Sequence, residues 1–252
     1  SLTAQWSDYT KVSSGSVAET TEGADHTTVT SITSAARSMT AIEHVIRADL
    51  TDMSVMGSTD DLTGNTGDIL GNAVAAKLDA DLVGLFSGFS QTSVGAGTAL
   101  SLSGVFDALR QLRGAGAPAP YNLVMSDQGI WGDKGLRSLL VQGGNTGTNA
   151  VPHSLLGAEG QEFLSRGFVD RMGNIDIYFC NEISDDVASG GDSASGMFSA
   201  GAIGLAVGPK GLYGIEPQRD ASARATEYVA TGIWKAGEVK NNFGVYILHD
   251  VS

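Results

Sequence analysis

Apolar residues recur every fourth position between Leu70 and Phe86, at Leu70, Val74, Leu78, Leu82 and Phe86. Ala73, Leu85 and Phe89 flank this stripe, and Asn72, Lys77, Asp79 and Asp81 fall on the other sides. The spacing predicts an amphipathic helix over Thr66–Gly88. Thr66 or Asn65 can cap its start, Asp68 suits the positive end of the dipole, and Gly88 can close it. At ~1.5 Å per residue the helix spans roughly 33 Å. A stripe that long needs a broad partner, and a sheet is the natural one.

Period-two alternation supplies the strands. Residues 38–48 alternate, with Ile42, His44 and Ile46 on one face and Ala41, Glu43 and Val45 on the other. Arg224–Lys235 places Ala225, Val229, Thr231 and Ile233 opposite Tyr228 and Trp234. Glu238–His249 alternates through Val239, Phe243, Val245 and Ile247, and a Lys235–Glu238 turn is expected to join the two as an antiparallel hairpin. Gly211–Pro217 reads as a further strand. The hairpin's sheet is the expected partner of the long helix.

Between these parts lies a middle block, about 99–210. It opens with a helix capped by Ser101 or Ser103 and ending near Arg113, with Val105, Phe106, Leu109 and Leu112 inward. Pro118 and Pro120 lead into a strand at Tyr121–Met125, and Ser126 or Asp127 starts a helical patch with Ile130 and Trp131. A shorter helix is expected at 155–166, and two short strands are expected around Gly173-Asn174. The glycine-rich runs 90–98, 143–151 and 184–196 read as loops, as does the polar link 49–64.

The beginning of the chain breaks the pattern. Trp6 and Tyr9 stand in a polar arm, where such aromatics serve as anchors on this chain or on a neighbour. Residues 13–37 are dominated by Ser and Thr among their polar residues, with Val17, Val29 and Ile32 the large apolar residues. They read as a two-stranded ribbon turning near Glu22-Gly23-Ala24-Asp25, or as a polar linker. A lone hairpin is marginal in water, so such a ribbon must lie on another surface.

Composition sharpens this picture. Thirty-four glycines in 252 residues is about twice the usual ~7 % share, and they follow no fixed period. Fifteen basic against 28 acidic residues give a net charge of −13, and no basic cluster offers a nucleic-acid face. The single Cys180 excludes an internal disulfide and reads as a strand residue inside IDIYFC. No apolar run reaches the ~18 residues of a membrane span, and the first residues lack the pattern of a signal peptide.

Catalytic chemistry finds little support. His26, His44, His153 and His249 show no metal-ligand spacing and read as surface or strand residues. Gly191-Asp192-Ser193-Ala194-Ser195 fails the nucleophile-elbow pattern at its last position. Neither glycine-rich phosphate motif is present. Asp185, Asp186 and Asp192 could hold calcium but lack the spacing of a twelve-residue calcium loop, so a solvated loop is the plainer reading. No catalytic residue, cofactor or metal is expected.

The order of these elements resembles the major capsid protein of tailed double-stranded DNA phages, the Hong Kong 97-like (Johnson) fold. The carrying segments are Glu22–Asp25, Ile46–Asp52, Arg171–Asn181, Met197–Val207 and the terminal 224–249. The resemblance implies an α+β fold with an N-terminal arm (1–12) and an extended E-loop (13–38). It further implies a P-domain built from the spine helix and antiparallel sheet (39–98 and 211–252) and an A-domain (99–210). The function implied is self-assembly into hexamers and pentamers of an icosahedral head enclosing packaged DNA, within the virion, with scaffolding, portal and cement proteins as further partners. Intersubunit contacts are expected at Trp6, Tyr9, Glu22, Asp25, Arg37, Lys235, Glu238 and Lys240, with ion pairs from Glu22, Asp25 and Arg37.

One departure matters: the family's type member welds its subunits through an E-loop lysine, and residues 13–38 contain no lysine. No such cross-link is expected, so shell stability must be non-covalent or supplied by a cement protein. An encapsulin-like cellular nanocompartment shell is the alternative within the same fold. A calcium-dependent binding or hydrolase domain is the alternative outside it.

Overall fold

The computed structural model describes residues 2–9, 12, 14–17, 19, 22, 29–136, 171–172, 174–187, 190–209 and 211–251. Among them the strands form three sheets. The expected helix at 155–166, the loop at 143–151 and the turn residue Asp25 lie outside the described residues.

The smallest sheet pairs β1 (Thr3–Tyr9) antiparallel with β2 (Ser34–Thr40), placing Trp6 opposite Arg37 and Tyr9 opposite Ser34. This corrects the expected ribbon. The returning part of the Ser/Thr-rich segment takes the N-terminal arm as its partner, and residues 29–33 are in no strand. The pairing gives the exposed backbone of both stretches its hydrogen bonds without asking a polar ribbon to pair with itself.

The second sheet has the order β10 (Gly214–Asp220), β11 (Ala225–Glu238) and β3 (Ile42–Thr51), with β9 (Ile203–Val207) also paired to β11. All three pairings are antiparallel. The long helix α2 packs on this sheet, as its stripe requires. It runs Leu62–Val83, four residues earlier than the apolar spacing indicates at its start. Asp61 is the cap: its carboxylate accepts from the Gly64 N–H at 3.0 Å, whereas the Thr66 hydroxyl donates back to the Leu62 carbonyl inside the helix. Beyond Gly84 the chain tightens into a short 3-10 turn at Phe86–Gly88. Leu70 and Val74 are buried against Ala230 and Trp234, with Leu78 and Tyr228 at the margin. A short helix, α1 (Asp52–Gly57), occupies part of the expected polar link and buries none of its residues.

The third sheet has the order β4 (Gln91–Ala99), β12 (Gly244–Asp250), β8 (Asp192–Ser199), β5 (Tyr121–Met125), β7 (Ile175–Phe179) and β6 (Arg171–Met172). Helices α3 (Leu102–Gly114) and α4 (Asp127–Trp131), capped by Ser101 and Ser126, supply the apolar cover. Val105, Ala108, Leu112, Leu123, Met125, Ile130, Met197, Val245 and Ile247 are fully buried in one cluster. Phe106, expected inward, is half exposed on α3.

Three expectations fail here, each for a physical reason. The terminal hairpin does not form. β11 runs straight through Lys235–Glu238 alongside β9, and Asn241-Asn242 then break the alternation in a 3-10 turn. The Asn241 amide donates to the Gly88 carbonyl at 3.0 Å and its oxygen accepts from the Ser90 N–H, so β12 is turned into the other sheet. The glycine-rich stretch 90–98 is strand β4, parallel to β12. The end of the supposed acidic loop 184–196, from Asp192 onward, is β8, a central strand. Its small residues suit close packing: a Cβ at Gly196 would stand 2.5 Å from the Phe86 ring. Its buried hydroxyls are largely satisfied, Ser193 by Ser126 at 2.9 Å and Ser199 by the Pro118 carbonyl.

Candidate assembly surfaces

The arm is fastened to its own chain at one end. Trp6 joins Met39, Ala41, Ala206 and Val239 in a small cluster, and its ring lies 3.2 Å from where a Cβ on Gly204 would stand. Lys240 Nζ reaches Asp8 Oδ1 at 2.9 Å and sits 4.9 Å from the centre of the Phe243 ring. The Ala41 N–H donates to the Leu2 carbonyl at 2.9 Å. Beyond Asp8 the side-chain anchoring stops: Tyr9 is 62 % exposed, and Arg37, Glu22, Val29 and Ile32 are exposed.

Of the expected contact residues, the structure therefore brings Trp6 and Lys240 together with the chain's own β9–β11 end. Lys235 is exposed in β11 opposite Ala206, and Glu238 is half-buried with its carboxylate against Gly88. They lie in a strand and not in a projecting turn.

The sheet under α2 carries the more telling surface. Trp234 is fully buried; its indole N–H donates to Asp81 Oδ2 at 3.1 Å, and the His44 ring stacks on it at 4.2 Å. Lys77 completes this group as the ion-pair partner of Asp81 one turn along α2. Burial works against the Asp81 carboxylate, but the hydrogen bonds from Lys77 and Trp234 hold it below the usual carboxylate range. Beside it opens a cleft of about 480 Å³ lined by Glu43, His44, Val45, Ile46, Ala73, Val74 and Lys77. Val45 is 59 % exposed at its rim.

The other end of β3 leads into a second group of exposed apolar side chains. In α1, Met53 and Met56 are 80 % and 81 % exposed, with Val55 beside them. The helix is held in place by Asp52, whose carboxylate takes two hydrogen bonds from Arg219 at 2.6 and 2.7 Å. Those bonds keep Asp52 below its ordinary range. Arg47 ties Asp49 and Glu227 in the same way across the exposed strand face. Charges thus brace the sheet while apolar side chains beside them stay exposed. The exposed methionines and the cleft carry no signal in the linear pattern, because α1 is too short to show periodicity.

The candidate calcium trio does not survive as an open loop. Asp192 is buried in β8 and accepts from the Gly97 N–H at 2.8 Å. Among the described residues no group of three or more His, Cys, Asp or Glu is placed to hold a metal. No helix among them is long and apolar enough to cross a membrane.

A paired arm strand, a long helix on a four-stranded antiparallel layer and a separate mixed six-stranded layer together define the Hong Kong 97-like α+β fold of tailed-phage capsid chains. No protein-family model and no curated protein matches the sequence. Solved structures do. The chain from the capsid of Cyanophage P-SCSP1u superposes with a TM-score of 0.65 at 14 % identity, covering 99 % of this chain and 84 % of that one. The capsid chain of Myoviridae phage XM1 gives 0.65 at 11 % identity, covering 99 % and 86 %. The encapsulin of the holo-SrpI complex from Synechococcus elongatus gives 0.64 at 9 % identity, covering 88 % and 79 %.

Proposed function

We propose that this chain is the major capsid protein of a tailed double-stranded DNA phage, tiling an icosahedral head as hexamers and pentamers. The observation that carries the reading is the end-to-end likeness to capsid chains joined to apolar surface left uncovered on β3 and α1. Closed symmetry repeats each modest contact many times, so no single interface has to be strong. The role is structural, and the net charge of −13 suits a wall beside packaged DNA.

In this reading residues 1–12 are the N-terminal arm, 13–38 the E-loop, 39–98 and 211–252 the P-domain and 99–210 the A-domain. β4 and β12 carry the two P-domain segments into the axial sheet. Tyr9, Glu22, Asp25, Arg37, Lys235 and Glu238 meet neighbouring copies, while Trp6 and Lys240 set the angle of the arm. Portal, scaffolding and cement proteins are the further partners, and assembly takes place in the host cytoplasm.

Electron microscopy of the purified chain tests the proposal. Closed shells are expected; a monomer at every concentration contradicts it. The likeness to an encapsulin favours one second reading, a cargo-holding shell. Particles isolated from their native source separate the two: nuclease-protected double-stranded DNA marks the phage head, and enclosed enzyme marks the compartment.

A further inference from the structure

The end of β12 that meets α4 encloses a polar group with little to satisfy it. His249 is fully buried, and neither ring nitrogen has a well-formed hydrogen bond, the Ile247 backbone offering a weak one. Ser195 Oγ and Asp185 Oδ1 are also buried and unpartnered. Ser193 stands directly across the ladder from His249 and is joined through its hydroxyl to Ser126, the cap of α4. Gly129 of α4 rests on the ring, where a Cβ would come 3.2 Å from both His249 Nε2 and Ser126 Oγ.

Buried polar atoms are normally paired, so each exception calls for a cause. The charged groups facing this ring are Asp185 ahead of β8, Asp192 in β8 and Asp250 in β12. Asp250 is bonded to Lys134 at 2.7 Å, α4 adds the exposed Asp127, and β4 contributes no ionisable side chain. Burial pushes the imidazole below its ordinary pKa, while Asp185, a hydrogen bond to the Ile247 backbone, Asp192 and Asp250 oppose that shift.

We propose that His249 is an acid-sensitive latch on the six-stranded sheet. As a neutral ring it allows β8, β12 and α4 to close over it. Protonation adds a donor and a charge whose burial costs more than the surrounding carboxylates return, so water must enter or the cover must lift. The parts that would part first are those tied at the same end: residues 91–99, 184–187, 190–192 and 248–251. They are joined there by the Gly97–Asp192 bond and by the Val251 N–H to the Gly191 carbonyl at 2.7 Å.

The direction follows from proton linkage. The open form binds the proton near the ordinary histidine pKa of ~6.5, and the closed form binds it only at lower pH. Closure is therefore complete above that value and weakens as pH falls through it. Carboxylates do not titrate strongly until about pH 4, so the two effects occupy separate windows. If the closed ring stays neutral to pH 5, the opening equilibrium shifts by up to about 30-fold between pH 7.5 and 5.

Hydrogen exchange of the full chain at pH 7.5 and 5, corrected for intrinsic rates, tests this. Opening in peptides covering 91–99, 184–187, 190–192 and 244–251 is expected to rise by up to that factor, with α2 and β11 unchanged and the response flattened in His249→Gln. An acid response that persists in His249→Gln, or that spreads equally over β3 and β11, overturns the latch. Should the variant not fold, histidine-labelled solid-state NMR of the unaltered protein decides: one of the four ring signals remains neutral below pH 6. Four rings all titrating near 6.5 would refute it.

Discussion

The two main layers of this protein solve the problem of apolar surface differently. The six-stranded layer buries most of its apolar side chains, with Phe106, Tyr178 and Phe179 the large ones left exposed among the described residues. Its cluster runs from Leu100 through Leu123 and Met197 to Ile247, with α3 and α4 as cover. The layer built from β3, β10 and β11 has a small cluster around Leu70, Val74, Ala230 and Trp234, and leaves Ile42, Val45, Met53, Met56 and Ile69 in solvent. The first layer is what a folded subunit needs, and the second is what a subunit with neighbours needs. Substitutions should therefore separate folding from assembly according to the layer they strike.

The largest expected effect on stability lies in the closed layer. Leu123→Ala removes a fully buried side chain between β7 and β8 and should cost about 2–5 kcal/mol in urea unfolding. Gly196→Ala should cost about 1–3 kcal/mol, because the added methyl meets the Phe86 ring. In the open layer, Trp234→Phe leaves Asp81 with Lys77 but removes the indole bond, and a loss of about 1–2 kcal/mol is expected. The smallest effect belongs to Met53→Ser with Met56→Ser: chain stability should stay within about 0.5 kcal/mol, while particle formation is lost. Equal loss of folding and assembly in that double variant would erase the distinction.

Acid gives a second separation. Asp81 is held below its ordinary pKa, so its contribution is present above about pH 4 and disappears as pH falls through its folded value. Thermal melts of the unaltered chain and of Lys77→Met between pH 5 and 2 should converge at the acid end. A gap that persists at pH 2 would mean that the pair does not act through charge.

The sequence showed the parts whose apolar spacing is driven by burial. The stripe from Leu70 to Leu82, the Ser101-capped helix and the strand Tyr121–Met125 follow from local periodicity, and they form. What it concealed was packing achieved with small polar residues. β8 is buried through Ser193, Ser195 and Gly196, so its composition reads as a loop although it lies at the centre of a sheet. β12 shares its alternation with the end of β11, and only Asn241-Asn242 signals that the chain changes sheets there. The candidate surfaces were legible in part. Trp6 and Tyr9 were visible as misplaced aromatics, yet only the fold reveals that Trp6 turns inward while Tyr9 does not. The placement of Met53 and Met56 depends on Arg219 holding Asp52 from far along the chain, a pairing that no local pattern encodes.

The central claim is that the exposed face of β3 and α1 is completed by other copies of the chain. Radical footprinting of methionine oxidation tests it most directly, comparing assembled particles with dissociated subunits. Met53 and Met56 should oxidise freely in the subunit and be protected in the particle, with buried Met125 and Met197 protected in both. Equal oxidation of Met53 and Met56 in the two states would contradict the account.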